Sequence, residues 1–212
     1  MKAYFDNAST TPLLAEVKLA MKEVIDNNYG NPSSIHSLGR SSKILIEDAR
    51  SDMAQGIRAS TGEIFFTSGA TEANNMALLC SVRDLGVKTI ISSPTEHHCI
   101  LHTLDYISNH GLANVRYLKV NEEGHIDYEE LTETIRSSAG NVLVSLMHVN
   151  NEIGSIHDID RIAAICQEEK ALFHTDTAQT IGKLKIDVQK TKIAFLSGSA
   201  HKFFGPKGSG FI

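Results

Sequence analysis

Short apolar runs alternate with segments of helical period along this chain, from Gly62 onward. The apolar runs predict strands, and they cover residues 63–67, 88–92, 115–120, 142–147, 171–175 and 193–196. The segments between them place apolar side chains one helical turn apart and predict helices over residues 71–85, 97–109, 127–137 and 158–170. This alternation predicts an α/β domain whose mostly parallel sheet is covered by helices on both faces.

The two ends of the chain differ from this pattern. Amphipathic stretches at residues 15–25 and 42–57 predict two helices, separated by a segment dense in turn-forming residues. At the other end, residues 208–212 have the composition of an opening β-strand, with no turn or polar tail after it. We therefore expect a chain that is truncated at Ile212.

Composition excludes several classes of function. The 212 residues carry a net charge of −5 and no dense basic run, which argues against nucleic acid as a partner. No long apolar span or cationic leader is present, so we expect neither a membrane nor a secreted protein. The 3 cysteines lack CxxC spacing, which favours a reducing, cytoplasmic location and argues against disulfides and structural zinc.

Polar residues follow the predicted strands, where open α/β sheets bind their ligands. After the first strand, Ser68, Gly69, Ala70 and Thr71 form a turn that opens a helix, and the free N–H groups of a helix N-terminus can hold a phosphate. An ordinary N-cap at Ser68 or Thr71 explains the turn equally well. Further along, a strand delivers Asp176, whose carboxylate needs a cationic or hydrogen-bonding partner unless it merely caps the next helix.

Lys202 follows the last complete strand, between small residues and a Gly-Pro turn. A lysine that forms an imine needs such an uncluttered setting, in which its pKa can be lowered. Lys207 lacks the flanking sequence of a P-loop. One ligand, pyridoxal 5′-phosphate, explains these features together: its phosphate binds at the 69–71 turn, its ring nitrogen at Asp176 and its aldehyde at Lys202.

A metal centre is the weaker interpretation of the histidines. His98 and His102 have the i, i+4 spacing of metal ligands on a helix, but no Glu stands in the HExxH position and no third ligand is evident. We predict no metal site.

Seven stretches, in order, resemble the cysteine desulfurases of the NifS/IscS type, members of the class-V aminotransferase family with the aspartate-aminotransferase-like fold (fold type I). The stretches are 4–12, 30–34 with His36 and Gly39, 67–72, 96–97, 148–154, 174–179 with Gly182 and Lys183, and 199–210. The resemblance implies that Lys202 forms the imine with the cofactor and that Asp176 pairs with its ring nitrogen. It further implies that His97 stacks on the ring and assists proton transfers, and that the remaining cofactor contacts are Gln179 at the ring hydroxyl, Asn150 beside the cofactor, and Ala70, Thr71, Ser199 and His201 at the phosphate.

The activity implied by the resemblance is removal of sulfur from L-cysteine, which leaves L-alanine and a persulfide for iron–sulfur scaffolds or tRNA-thiolation enzymes. A homodimer is implied as well. A selenocysteine lyase or an aminotransferase is the alternative within the enzyme class, and a non-catalytic fragment that binds cofactor or a partner chain is the alternative outside it.

Several departures from the family pattern bear on these expectations. Ala200 stands where the family usually has glycine. Relatives are nearly twice as long, so we expect residues 1–15 to belong to a small domain, residues 16–212 to form the cofactor-binding large domain, and the C-terminal small domain to be absent. The sulfur-accepting cysteine and the substrate-binding arginine fall in the absent part, and the chain alone is expected to have little activity. Cys80 and Cys166 are expected on apolar helix faces, and Cys99 on a helix without the mobility that sulfur transfer needs.

Overall fold

A seven-stranded sheet lies at the centre of the computed structural model, which describes residues 3–212. The strands are β1 (Phe66–Thr67), β2 (Val87–Ser92), β3 (Asn114–Tyr117), β4 (Asn141–Ser145), β5 (Leu172–Asp176), β6 (Phe195–Ser199) and β7 (Gly210–Phe211). The helices are α1 (Ala15–Asn27), α2 (Ser37–Ile57), α3 (Ala70–Asp84), α4 (His98–Asn109), α5 (Tyr128–Arg136) and α6 (Ile159–Glu168). Two 3₁₀ helices cover Thr61–Glu63 and Ala200–Lys202.

The strand order is β1-β7-β6-β5-β4-β2-β3. Strands β3, β2, β4, β5 and β6 pair in parallel, whereas β7 is antiparallel to both β6 and β1. The prediction of a mostly parallel sheet is therefore confirmed. The parallel strands carry their carboxyl ends to one edge of the sheet, and the register there pairs Ser145 with His174 and Asp176 with Ser197.

Apolar side chains of the central strands alternate between two hydrophobic clusters. Ile90 and Leu143 pack with α3 and α4 on one face, while Ile91, Val144 and Phe173 pack with α5 and α6 on the other. All five are at most 1% exposed, and burying a side chain of this size stabilises the fold by about 1.5–3 kcal/mol. Coverage of both faces, predicted from the alternation, is confirmed.

Several element boundaries differ from the sequence prediction, two of them for identifiable reasons. Residues 63–67 do not form one strand, because Ser60 and Glu63 make a reciprocal capping box that winds Thr61–Glu63 into a 3₁₀ turn. Helix α2 begins five residues earlier than predicted, because the His36 side chain accepts a hydrogen bond from the Gly39 N–H and caps it. The strand predicted over 115–120 ends at Tyr117.

The segment that precedes α1 binds to the loop after β6. The Thr11 N–H donates to the His201 carbonyl at 2.8 Å, and the Phe204 N–H donates to the Thr11 hydroxyl at 2.7 Å. Helix α1 itself buries none of its residues. The division into two domains near residue 15 stays a prediction. Among residues 3–212, no helix has both the length and the apolar content needed to cross a membrane.

Candidate active site

A cavity of about 380 Å³ opens at the carboxyl edge of the parallel strands. Its walls come from the β1–α3 turn, the start of α4, the segments after β4 and β5, and the loop after β6. Eight of the nine residues predicted to bind the cofactor line it: Ala70, Thr71, His97, Asp176, Gln179, Ser199, His201 and Lys202. Residues far apart in the chain meet here because parallel strands end at one edge of the sheet.

The N-terminus of α3 forms one end of the cavity. Gly69 is its N-cap, and no side chain caps the helix, so the first N–H groups are directed at the cavity without an intrahelical partner. The hydroxyl of Ser199 lies 3.6 Å from the position that a Cβ on Gly69 would take. Lys207 and His201 line the same cavity. Backbone donors, a helix dipole and the Lys207 ammonium suit this end to a phosphate.

Asp176 forms the floor of the cavity at the end of β5. Its side chain is 6% exposed, and it accepts hydrogen bonds from the Ala178 N–H and from the Asn74 side-chain amide, both at 2.8 Å. Burial raises the pKa of Asp176, and these two donors, together with His97 and Lys202, act in the opposite direction. A cationic N–H brought beside this carboxylate would complete its stabilisation.

Lys202 ends the 3₁₀ turn after β6. Its Nζ donates to the Ala8 carbonyl, and the same carbonyl accepts from Gln179 Nε2 at 2.8 Å. The segment before α1 therefore holds two predicted site residues in place. Desolvation lowers the pKa of Lys202, while Asp176 opposes that shift and Lys183 adds to it. A lowered pKa enlarges the fraction of free amine, the form that attacks a carbonyl carbon.

His97 caps α4 at the mouth of the cavity. Its Nδ1 accepts from the Cys99 backbone N–H at 3.2 Å, which assigns the ring proton of the neutral form to Nε2. Cys99 Sγ lies 3.1 Å from the same Nδ1, so the thiol donates to the ring. His97 thus presents an N–H group on a ring fixed at the helix start.

Asn150 is the one predicted residue outside the cavity lining. Its side chain is buried and closes the turn after β4: Oδ1 accepts from the N–H groups of Glu152 and Ile153, and Nδ2 donates to the Thr95 carbonyl at 2.8 Å. Asn151 lines the cavity instead. The role of Asn150 beside a cofactor stays a prediction.

Sequence reasoning missed three polar groups of the site. Lys207 and Asn151 lie inside two motifs that were recognised, but nothing in the sequence directs either side chain inward. Asn74 is fully buried on α3 and contacts Asp176. The pattern that points to it is on β5, where His174 and Asp176 share one face of the strand and require polar partners from the covering helix.

The three cysteines have different surroundings. Cys166 is fully buried in the core, as predicted, and desolvation raises its pKa to about 12. Cys80 is only partly buried and lies beside Arg83. Cys99 lines the cavity, and burial raises its pKa, so the thiolate is disfavoured there.

The histidine pair on α4 remains two ligands without a third. The ring centroids of His98 and His102 lie 5.8 Å apart. Within residues 3–212, no group of three or more His, Cys, Asp or Glu side chains is arranged to hold a metal ion.

The model of the class-V aminotransferase family matches residues 3–212 of this chain. Among curated proteins, the chain is 43% identical over its whole length to the cysteine desulfurase IscS of Dictyoglomus turgidum, of which it covers 53%. It is 46% identical to the mitosomal cysteine desulfurase of Trachipleistophora hominis and covers 48% of that protein. The chain spans about half the length of the curated relatives it matches.

Solved structures show the same likeness. A structure described as SspA in complex with cysteine superposes with a TM-score of 0.93 at 35% identity, covering 99% of this chain and 60% of that one. A NifS-like protein superposes with a TM-score of 0.92 at 37% identity, over 100% of this chain and 58% of that one.

Proposed function

The chain belongs to the class-V aminotransferase family, and we propose that it supplies the cofactor site of a pyridoxal-phosphate-dependent cysteine desulfurase. The observation that carries the proposal is the joint placement of a buried carboxylate, a lysine and an uncapped helix N-terminus around one cavity. These groups match the ring nitrogen, the aldehyde and the phosphate of pyridoxal phosphate. The relatives named as cysteine desulfurases support L-cysteine as the substrate.

The position of each side chain in the cavity determines its proposed role. Asp176 would keep a proton on the ring nitrogen, because an ionised carboxylate in a buried site stabilises an adjacent N–H⁺ group. The first N–H groups of α3, with the Ser199 hydroxyl, would hold the phosphate and thereby orient the ring. When bound, pyridoxal phosphate supplies an electron sink for charge that develops on the α-carbon of an amino acid.

Lys202 and His97 are the candidate proton carriers. Lys202 would hold the cofactor through its aldehyde, and a lowered pKa keeps more of its amine in the unprotonated form that this bonding requires. His97 presents its Nε2 proton from the start of α4, where its own backbone bonds fix the ring. The raised pKa of Cys99 makes its thiol a poor nucleophile, so we assign sulfur acceptance to no cysteine of this chain.

Trapping with borohydride tests the cofactor assignment. Purified chain is mixed with pyridoxal phosphate, reduced with borohydride, digested and examined by mass spectrometry. We expect the pyridoxyl group on Lys202 and its disappearance in Lys202→Ala. Lys207→Ala is the matched control, since Lys207 lines the same cavity. This variant should still carry the adduct on Lys202. An adduct on Lys207, or one unchanged in Lys202→Ala, refutes the assignment.

Substrate and oligomeric state are tested separately from the cofactor. We propose L-cysteine as the substrate, an iron–sulfur scaffold or another sulfur acceptor as the partner, a homodimer as the assembly and the cytoplasm as the location. Addition of L-cysteine, L-selenocysteine or L-alanine to the cofactor-loaded chain should change the visible spectrum, and cysteine should act at the lowest concentration. A response to alanine alone favours an aminotransferase. Light scattering that gives a monomer mass contradicts the homodimer.

A further inference from the structure

Asn74 lies at the centre of a buried polar network that also contains Ser145, His174, Asp176 and Ser197, here called the Asn74 network. Asn74, His174, Ser145 and Ser197 are each 0% exposed. The sheet register explains the grouping, because Ser145 pairs with His174 and Asp176 pairs with Ser197 on neighbouring parallel strands. Side chains in register share one face, and α3 packs on that face with Asn74 pointing at it.

All four hydrogen-bonding positions of the Asn74 amide are used. The Oδ1 atom accepts from Ser197 Oγ and from His174 Nε2, the latter at 3.1 Å. The Nδ2 atom donates to Asp176 Oδ2 at 2.8 Å and to Cys99 Sγ at 3.4 Å. Only this orientation of the amide is acceptable, because rotation by half a turn would direct its oxygen at the Asp176 carboxylate.

His174 supports this orientation of the amide. Burial lowers the pKa of His174 to about 3, so the ring is neutral and carries one proton. Its Nε2 faces Asn74 Oδ1, which can only accept, so the ring proton lies on Nε2 and Nδ1 accepts from the Ser145 hydroxyl 2.9 Å away. Two donors, His174 and Ser197, therefore hold the amide oxygen away from Asp176 and turn the NH₂ group toward it.

The same amide reaches the other side of the cavity. Cys99 Sγ accepts from Asn74 and donates to His97 Nδ1, which lies 3.1 Å away. The two residues expected to contact the cofactor ring, Asp176 and His97, are thus joined through one amide and one thiol. None of these contacts follows from the roles proposed above.

We infer that Asn74, oriented by His174 and Ser197, is a positioning residue that aims the Asp176 carboxylate at the cofactor ring nitrogen and couples it through Cys99 to His97. This inference rests on the proposed function. It makes Asn74 and His174 necessary to the cofactor site although neither lines the cavity.

Cofactor affinity and spectrum test the inference in the purified chain. Asn74→Ala removes a hydrogen bond to a charged group, so we expect the Kd for pyridoxal phosphate to rise about 10-fold or more. The pH midpoint of the visible absorbance change should move by about one unit, because Asp176 loses part of what stabilises its charge. Asn75→Ala is the matched control: Asn75 is the next residue of α3 and bonds Thr103 instead.

His174 offers a test by rescue. His174→Leu fills the site but gives Asn74 no donor, so affinity and midpoint should change in the same direction as in Asn74→Ala. His174→Gln carries an amide N–H where Nε2 stood and should restore both to within about 3-fold of wild type. Equal behaviour of the Leu and Gln variants overturns the inference, because it reduces His174 to a packing residue.

A cofactor-free measurement separates this inference from the proposed function. In the unliganded chain with ¹⁵N-labelled histidine, the NMR spectrum should show His174 neutral and protonated at Nε2 at mildly acid pH. Protonation at Nδ1 overturns the inference. Failure of the wild-type chain to take up pyridoxal phosphate contradicts the proposed function. Normal uptake by wild type together with unchanged affinity in Asn74→Ala contradicts the inference alone.

Discussion

Replacement of Gly210 by alanine should weaken cofactor binding indirectly, because Gly210 does not line the cavity. Gly210 begins β7 between β6 and the turn that opens α3. A Cβ at this position would stand 2.5 Å from Gly69 Cα and 2.6 Å from the Gly198 carbonyl oxygen. Non-bonded carbon atoms rest about 3.5–4.0 Å apart, so Gly69 and β7 must separate by about 1 Å. Every atom in the way is backbone, and no rotamer change can relieve the contact.

The size of the effect on affinity depends on how the strain is divided between weaker cofactor binding and lower stability of the unliganded chain. Overpacking of a buried site costs about 1–3 kcal/mol. Gly69 is the N-cap of α3, so its displacement turns the first N–H groups of the helix away from the phosphate. If about 1.4 kcal/mol of the strain appears as lost binding, the Kd rises about tenfold. The remainder should appear as a lower melting temperature of the unliganded chain.

Two titrations measure the effect. Pyridoxal phosphate is titrated into wild type and Gly210→Ala by absorbance, and inorganic phosphate is titrated by its effect on the melting temperature. Gly56→Ala is the control, since a Cβ on Gly56 of α2 meets no atom within 4 Å and should stabilise the helix by about 0.5–1 kcal/mol. A Gly210→Ala variant with wild-type affinity for both ligands would refute the argument that β7 sets the position of Gly69.

Two further predictions concern groups whose pKa is shifted by burial. His174 has a folded pKa of about 3 against 6.5 for the free side chain, so the unfolded chain gains its proton first and stability falls as pH drops below about 6.5. Between there and about pH 5, urea denaturation should show that wild type loses about 2 kcal/mol more than His174→Gln, and equal losses would contradict this. For the thiols, alkylation followed by mass spectrometry should leave Cys166 unmodified in the folded chain, because it is fully buried and its pKa is about 12. Cys99 lines the cavity and should be alkylated, at a lower rate once pyridoxal phosphate is bound. An alkylation rate that is the same with and without pyridoxal phosphate would show that the cofactor binds elsewhere.

The order of the elements could be predicted because each strand is a local run of apolar residues between helical segments. Strand β4, for example, is buried on both faces, and its unbroken apolar run identifies it without tertiary information. The family resemblance, confirmed by the match over residues 3–212, rests on motifs that are equally local. Of the strand predicted at residues 63–67, only Phe66–Thr67 forms, because side-chain capping by Ser60 and Glu63 winds the preceding residues into a 3₁₀ turn.

The contacts of the site could not be predicted in the same way. Asn74 and Asn75 are identical in type and adjacent in the chain, yet the first is fully buried against Asp176 and the second bonds Thr103. The rotation of α3 about its axis makes that difference, and packing of Leu78 against the sheet fixes the rotation. Likewise, the bonds from Gln179 and Lys202 to Ala8 join residues more than 170 positions apart.

The Asn74 network also ties the site to the stability of the fold. Buried polar groups without partners cost about 1–3 kcal/mol each, so a sheet that carries His174, Asp176 and Ser197 on one face cannot be covered by an apolar helix alone. The side-chain amide of Asn74 forms a hydrogen bond with each of the three. The orientation of Asp176 is therefore set while the core forms, before any ligand arrives. A carboxylate fixed in this way requires no reorganisation when a cationic ring nitrogen binds, which is the condition under which a buried charge contributes most to affinity.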